Sequence, residues 1–168
     1  FANWIDRGDP NSLLAANIFF DFRPLWGEPG LADALREEIA VHAAGNPRFL
    51  KQMSDNALTN RPPINWRGEL ATAEDTSGVE GVDLKMSGSV PFVDGARILA
   101  LAVGVRATNT VERLNEAGAK KGIPPEEIRA WCDAFEFVQL LRLREQHRRA
   151  GRGTMGEGDE TYSLATYG

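Results

Sequence analysis

Two pairs of residues in this sequence carry types that could do chemistry. Lys85 and Asp94 flank a short Gly/Ser turn within DLKMSGSVPFVDGARILALAVGVRATNT, residues 83–110. A cation and a carboxylate on either side of one turn could face a shared polar site for a charged substrate. The alternative is local: Asp94 falls in the first turn of a helix restarting at Pro91, where free N–H groups favour negative charge. Asp21 and Arg23 form the second pair, in IFFDFRPLWG. A carboxylate among Ile18, Phe19, Phe20 and Phe22 is costly to bury unless it is paired or metal-bound. In an extended segment the two share a face, which leaves an internal salt bridge or a carboxylate held for a metal or nucleotide. Arg142 is a further candidate. It sits among leucines, ahead of Arg144, Arg148 and Arg149, whose charge simply suits a helix C-terminus. A planar guanidinium at that position could face a phosphate or a partner.

The elements that must position these residues read as helices. FANWIDRG is the end of a helix, and residues 11–18 start another that becomes extended at Phe19–Phe22, because the residue before Pro24 is pushed out of the helical region. LADALREEIAVHAAG spaces Leu31, Leu35, Ile39 and His42 along one face. His42 is a surface histidine on its edge rather than a ligand. A helix opening at Asn46-Pro47 buries Phe49, Leu50, Met53 and Leu58. INWRGEL and VDLK are short extended segments that could pair as a ribbon, with ATAEDTSGVEG as a mobile connection between them. The segment after Pro91 is too densely apolar for a one-sided surface helix and should be largely buried. Asn109 or a neighbouring threonine caps the next helix. The longest helix follows Pro124-Pro125, with Ile128, Trp131, Cys132, Phe135, Val138, Leu141 and Leu143 on one wide face. The expected fold is therefore all-α, a bundle of four or five helices with at most a small two-stranded ribbon. Residues 1–150 form the helical domain and 151–168 a flexible or strapped tail.

Composition excludes several classes. At 168 residues the chain suits one domain with a real core. A net charge of -5 leaves no basic excess to neutralise phosphate backbones, so a general nucleic-acid binder is not expected. One cysteine, Cys132, permits no internal disulfide, and two histidines without neighbouring cysteines make no zinc pattern. No apolar run reaches the roughly 18 residues of a membrane span. A reducing cytoplasm is the expected compartment. Trp66 and Trp131 read as core, with a homodimer face as their other use.

IFFDFRPLWG, LREEIAVHAAGNPRFLKQMSDNAL, the 83–110 segment and EIRAWCDAFEFVQLLRLREQ together resemble the bacterial putative nucleotidyltransferase substrate-binding domain. That domain follows a DNA polymerase beta-like catalytic domain, often with CBS and cyclic-nucleotide-binding domains further upstream, an arrangement of signal transduction. The sequence is more distantly similar to the helical part of PII uridylyltransferase and glutamine synthetase adenylyltransferase. The resemblance implies an accessory half of an enzyme that moves a nucleoside monophosphate from an NTP to an acceptor, with protein as the expected acceptor. It implies that Asp21 adjoins the active site as a supporting carboxylate, and a metal ligand only together with the upstream domain. Arg23 would orient it or meet phosphate, Lys85 would face the nucleotide, and Asp94 would anchor the turn or substrate. Mg2+ and NTP belong to the full-length parent, and neither is expected on this chain alone. The Gly-Ser and Asp-x-Asp combination that holds two catalytic magnesium ions is absent here, so the isolated chain should be catalytically silent. The expected partner is the upstream domain of the same polypeptide. The competing reading is a regulatory or protein-binding helical module without nucleotide contact.

Overall fold

The computed structural model describes residues 2–7, 20–61, 64–65, 67, 73–74, 80–151 and 161–163. The reading of residues 11–19 therefore lies outside the described residues, as do the side chains of Trp4 and Trp66. The described helices are α1 (Ala2–Arg7), α2 (Pro29–Ala44), α3 (Pro47–Ala57), α4 (Val90–Ala102), α5 (Thr110–Lys121) and α6 (Pro125–Gly151). Strands β1 (Ala73–Glu74), β2 (Glu80–Asp83) and β3 (Thr161–Ser163) are short, and the fold is all-α as expected. None of the described helices is long and apolar enough to cross a membrane. The chain forms two compact units, one from residues 1–59 and 93–132 and the other from 60–92 and 133–168.

The first unit is built on small residues that let helices approach. On α2 the buried positions are Ile39, Ala40 and Ala43, whereas Leu31 is 74% exposed and His42 is exposed. Of the expected stripe, Ile39 is buried and Leu35 packs against the core, Leu31 stands outside it, and Ala40 and Ala43 share the contact face. Asn46 accepts the Phe49 N–H at 3.0 Å and sets the start of α3, which turns Phe49 and Met53 inward. Leu58 lies past the end of that helix and is exposed, not buried as its spacing predicts. These residues join Ile5, Phe20 and Leu101 in one cluster, with the Phe20 and Phe49 rings edge to face at 6.1 Å. A second cluster joins Ala96 of α4, Leu114 of α5, and Ile128 and Cys132 of α6, with Trp131 packed against it. Asn109 caps α5 through its side chain, and Gly122 ends it in the left-handed region at φ 69°, where a Cβ would be strained. Arg97 of α4 and Arg113 of α5 are buried among these apolar residues.

The second unit holds the segment expected to be a Gly/Ser break. It is instead a π-helical turn, Leu84–Ser89. The Asp83 carboxylate accepts the N–H groups of Lys85 and Met86, both at 2.9 Å, and so fixes the start of the turn. Gly88 is where the turn meets α6: a Cβ there would lie 2.9 Å from Val138 Cγ1. The wide turn therefore needs a residue without a side chain at that point. In this unit Phe135 is buried and packs on Phe92 with ring centroids 5.9 Å apart, while Leu143 is 63% exposed rather than on the inward face.

β2 pairs antiparallel with β1 through Ala73↔Gly81 and Glu74↔Glu80, and with β3 through Gly81↔Ser163, Val82↔Tyr162 and Asp83↔Thr161. The ribbon thus has three strands in the order β1-β2-β3, one more than expected. The partner of β2 on one side is Ala73–Glu74, from the stretch read as a mobile connection, and on the other Thr161–Ser163, from the tail. Backbone pairing over two or three residues is indifferent to side-chain pattern, which is why neither segment stood out.

Candidate functional site

An arginine inside a helix as apolar as α4 must find negative charge. Arg97, with its side chain 9% exposed, binds two carboxylates, Asp21 through Nη2 at 2.5 Å and Asp94 through Nη1 at 2.8 Å. Arg113 holds the other Asp21 oxygen through Nη2 at 2.6 Å. It also donates through Nε to the Ala107 carbonyl at 2.7 Å and reaches the Phe20 carbonyl at 3.3 Å. Two guanidinium groups and two carboxylates thus neutralise one another, and the loop entering at Phe20 is tied to α4 and α5.

The electrostatics follow from burial. Desolvation pushes the Asp94 carboxyl above the ordinary carboxylate value, against the pull of the Arg97 guanidinium, and the neighbouring Asp21 charge adds to the rise. Desolvation likewise lowers the Arg113 guanidinium from its usual value, with Asp21 opposing the shift.

Beside this network lies a narrow cavity of about 20 Å³ whose walls include Arg36, Arg97, Arg106, Arg113, Phe20 and Phe22. A space of that size holds about one water-sized group. Arg36 donates to the Phe22 carbonyl at 2.9 Å and stacks 5.1 Å from the Phe22 ring centroid, while Arg106 pairs with Glu37 at 2.7 Å. The Nε atoms of Arg36 and Arg97 are buried with no acceptor. Two donors left open on arginines lining one cavity make it receptive to a small acceptor or to an oxygen of a larger anion. A roomier hollow of about 430 Å³ lies among Asn115, Ala119, Ile123, Pro125, Ile128, Arg129 and Cys132, with one cation and no acid on its walls.

The sequence candidates distribute as follows. Asp21 and Asp94 are brought together by Arg97. Arg23, on the same loop, is exposed, and the partners of Asp21 are Arg97 and Arg113 instead. Asp94 lies beyond the first turn of α4 and spends its charge on Arg97, not on free N–H groups at the helix start. Lys85 belongs to the second unit, where its side chain is exposed on the π-helical turn. Arg142, in the same unit, donates to Gln139 Oε1 at 2.9 Å and Ser89 Oγ at 3.2 Å, and Ser89 in turn donates to the Leu84 carbonyl. Arg97 and Arg113 escaped the sequence reading. The signal was present in both: a lone arginine in ARILALA and another in VERLNEA, each flanked by residues that pack inward.

A divalent cation does not fit this set on its own. Both Asp21 oxygens and one Asp94 oxygen already accept from guanidinium groups, and the described residues contain no cluster of three His, Cys, Asp or Glu placed for a metal. Leu25 and Trp26, on the loop that carries Asp21, are 87% and 97% exposed.

No curated protein and no solved structure matches the chain. Residues 47–158, more than half of its length and including Lys85, Asp94, Arg97, Arg113 and Arg142, match the family described as "Putative nucleotidyltransferase substrate binding domain". The chain belongs to that family.

Proposed function

We propose that this chain binds the substrate of a nucleotidyltransferase whose catalytic domain lies outside these residues, and that the arginine-lined cavity is its anion anchor. The parent reaction is transfer of a nucleoside monophosphate from an NTP to an acceptor, with protein the favoured acceptor class. In such chemistry an acceptor oxygen attacks the α-phosphate, the bond to the bridging oxygen breaks, and pyrophosphate leaves. The observation that carries the reading is the pair of open Nε donors on Arg36 and Arg97 beside Arg106 and Arg113. A cavity of about 20 Å³ is too small for a nucleoside, so it would receive a phosphate oxygen while the rest of the molecule lies across its mouth. Magnesium belongs to the catalytic domain, since the acids here are held by arginine. Asp21 then acts as the residue that holds Arg97 and Arg113 in place, and Lys85 remains a candidate for nucleotide contact.

The exposed Leu25 and Trp26 favour a docking role for the same loop, either for the catalytic domain or for another protein. Calorimetric titration of Mg-ATP and Mg-UTP into the chain joined to its native upstream segment separates the readings. An Arg36→Gln, Arg106→Gln variant spares the buried pair Arg97–Asp21. Binding weakened about tenfold or more in the variant supports the anchor, because even one lost charge-assisted hydrogen bond is worth about 1.5–3 kcal/mol. Equal binding by variant and parent removes the cavity from the nucleotide site and leaves a protein-binding module.

A further inference from the structure

The second unit presents a face that the anion anchor does not use. From Asp133 onward, one side of α6 is occupied: Phe135 packs on Phe92, Val138 lies against Gly88, and Arg142 reaches Ser89. The opposite side carries Asp133, Glu136, Phe137, Leu140, Leu143, Arg144 and His147, all exposed. Positions 133, 137, 140, 144 and 147 are separated by four, three, four and three residues, the spacing of a continuous stripe along a helix. Its apolar members, Phe137, Leu140 and Leu143, are 59%, 43% and 63% exposed.

The order of chemistry along the stripe is self-complementary. Two acids precede the apolar centre and two nitrogenous side chains follow it. Turned end for end about Leu140, the stripe sets Leu140 against Leu140, Phe137 against Leu143, Glu136 against Arg144 and Asp133 against His147. A parallel arrangement would set Glu136 against Glu136 and Arg144 against Arg144, which like-charge repulsion disfavours. We propose that two copies of this chain pair antiparallel through this face of α6, across a two-fold axis beside Leu140. The stripe is roughly 22 Å long at 1.5 Å per residue. That is small beside the interfaces of stable complexes, which bury about 1,200–2,000 Å². The dimer therefore dissociates on dilution, and its formation must be read as a function of concentration.

Sedimentation velocity of the 168-residue chain, from low micromolar to near-millimolar concentration, reads it. The expected result is a mass that rises toward twice that of the chain. Glu136→Arg and Arg144→Glu each shift the midpoint to higher concentration, on the order of tenfold, by placing like charges opposite each other. The combined variant brings the midpoint back to near that of the parent, because the two residues stand eight apart on one helix and can meet only across the axis. Leu140→Cys, with buried Cys132 as its only competitor, forms an intermolecular disulfide under mild oxidation faster than Phe137→Cys does. These exposed substitutions leave the inward face intact, and circular dichroism verifies the helix in each variant. A chain that stays monomeric throughout, a charge swap that fails to restore assembly, or a Leu140→Cys variant that does not cross-link would overturn the proposal.

Discussion

The two units solve the burial of an arginine differently. In the first, Arg97 and Arg113 are almost fully enclosed and are balanced by charge, with Asp21 arriving from 76 residues away in sequence to meet Arg97. In the second, Arg142 is half-buried, and its partners include Gln139 on its own helix and Ser89 on the π-helical turn. The ionic network fixes remote segments to one another and still leaves Arg97 Nε open to a further acceptor. The bonds of Arg142 clamp a local turn against α6.

Removing each arginine tests that contrast most directly. Arg97→Ala strips Asp94 of its guanidinium partner and leaves Asp21 to Arg113 alone, and loss of one member of a buried ion pair costs about 3–5 kcal/mol. The lower end is expected, since Asp21 keeps Arg113 and, with its side chain 39% exposed, lets water reach the one freed oxygen. Arg142→Ala should cost less, about 1–2 kcal/mol, because Arg142 is only half-buried and water can replace its hydrogen bonds to Gln139 and Ser89. Denaturant titration of both variants checks the difference. Equal losses would mean that the degree of enclosure does not set what an arginine contributes, and the contrast would fail.

Gly88→Ala probes the clamp from its other side. The added methyl would meet Val138 Cγ1 at 2.9 Å, and a valine is stiff about χ1, so the turn and α6 must shift apart. Overpacking of this kind costs about 1–3 kcal/mol. Val138→Ala in the same chain makes room for the methyl, so the double variant should lose less than the sum of the two singles. Strict additivity, measured by thermal or denaturant unfolding, would show that the contact does not limit the turn.

The helices were legible in the sequence because apolar spacing, Pro and Gly punctuation and the Asn46 and Asn109 caps all pointed the same way. The family resemblance was legible too, and the family match at residues 47–158 takes in its later motifs, the 83–110 segment and EIRAWCDAFEFVQLLRLREQ. The part of the α2 contact face formed by Ala40 and Ala43 was not, since a count of large side chains ignores them. The π-helical turn was hidden as well: Gly and Ser at 87–89 look like a break, and only the Asp83 cap and the approach of Val138 convert them into a turn. For the site, Asp21 was read as a carboxylate costly to bury and Asp94 as a charge in a buried helix, but their partners were sought nearby. Arg97 and Arg113 lie 76 and 92 positions beyond Asp21, and no local pattern reports a pairing at that separation.

The smallest effect concerns Asp94, and its sign is informative. Its carboxyl titrates higher in the folded chain than in the unfolded one, chiefly because burial disfavours the charged form. Between its unfolded value of 3.8 and the raised folded value, the folded state therefore binds more protons than the unfolded state. Stability contributed by this group is present below that window and falls as pH rises through it. Asp94→Asn keeps the shape, removes the titration and leaves Arg97 paired with Asp21 alone. The variant should be less stable than the parent at every pH because a charge-assisted hydrogen bond is lost. Its deficit should shrink as pH rises from the acidic side toward neutrality. Parallel urea titrations of both chains across that range measure the gap. A deficit that widens with pH would mean that attraction to Arg97 outweighs desolvation, and that the carboxylate is held charged more firmly in the folded network than in water.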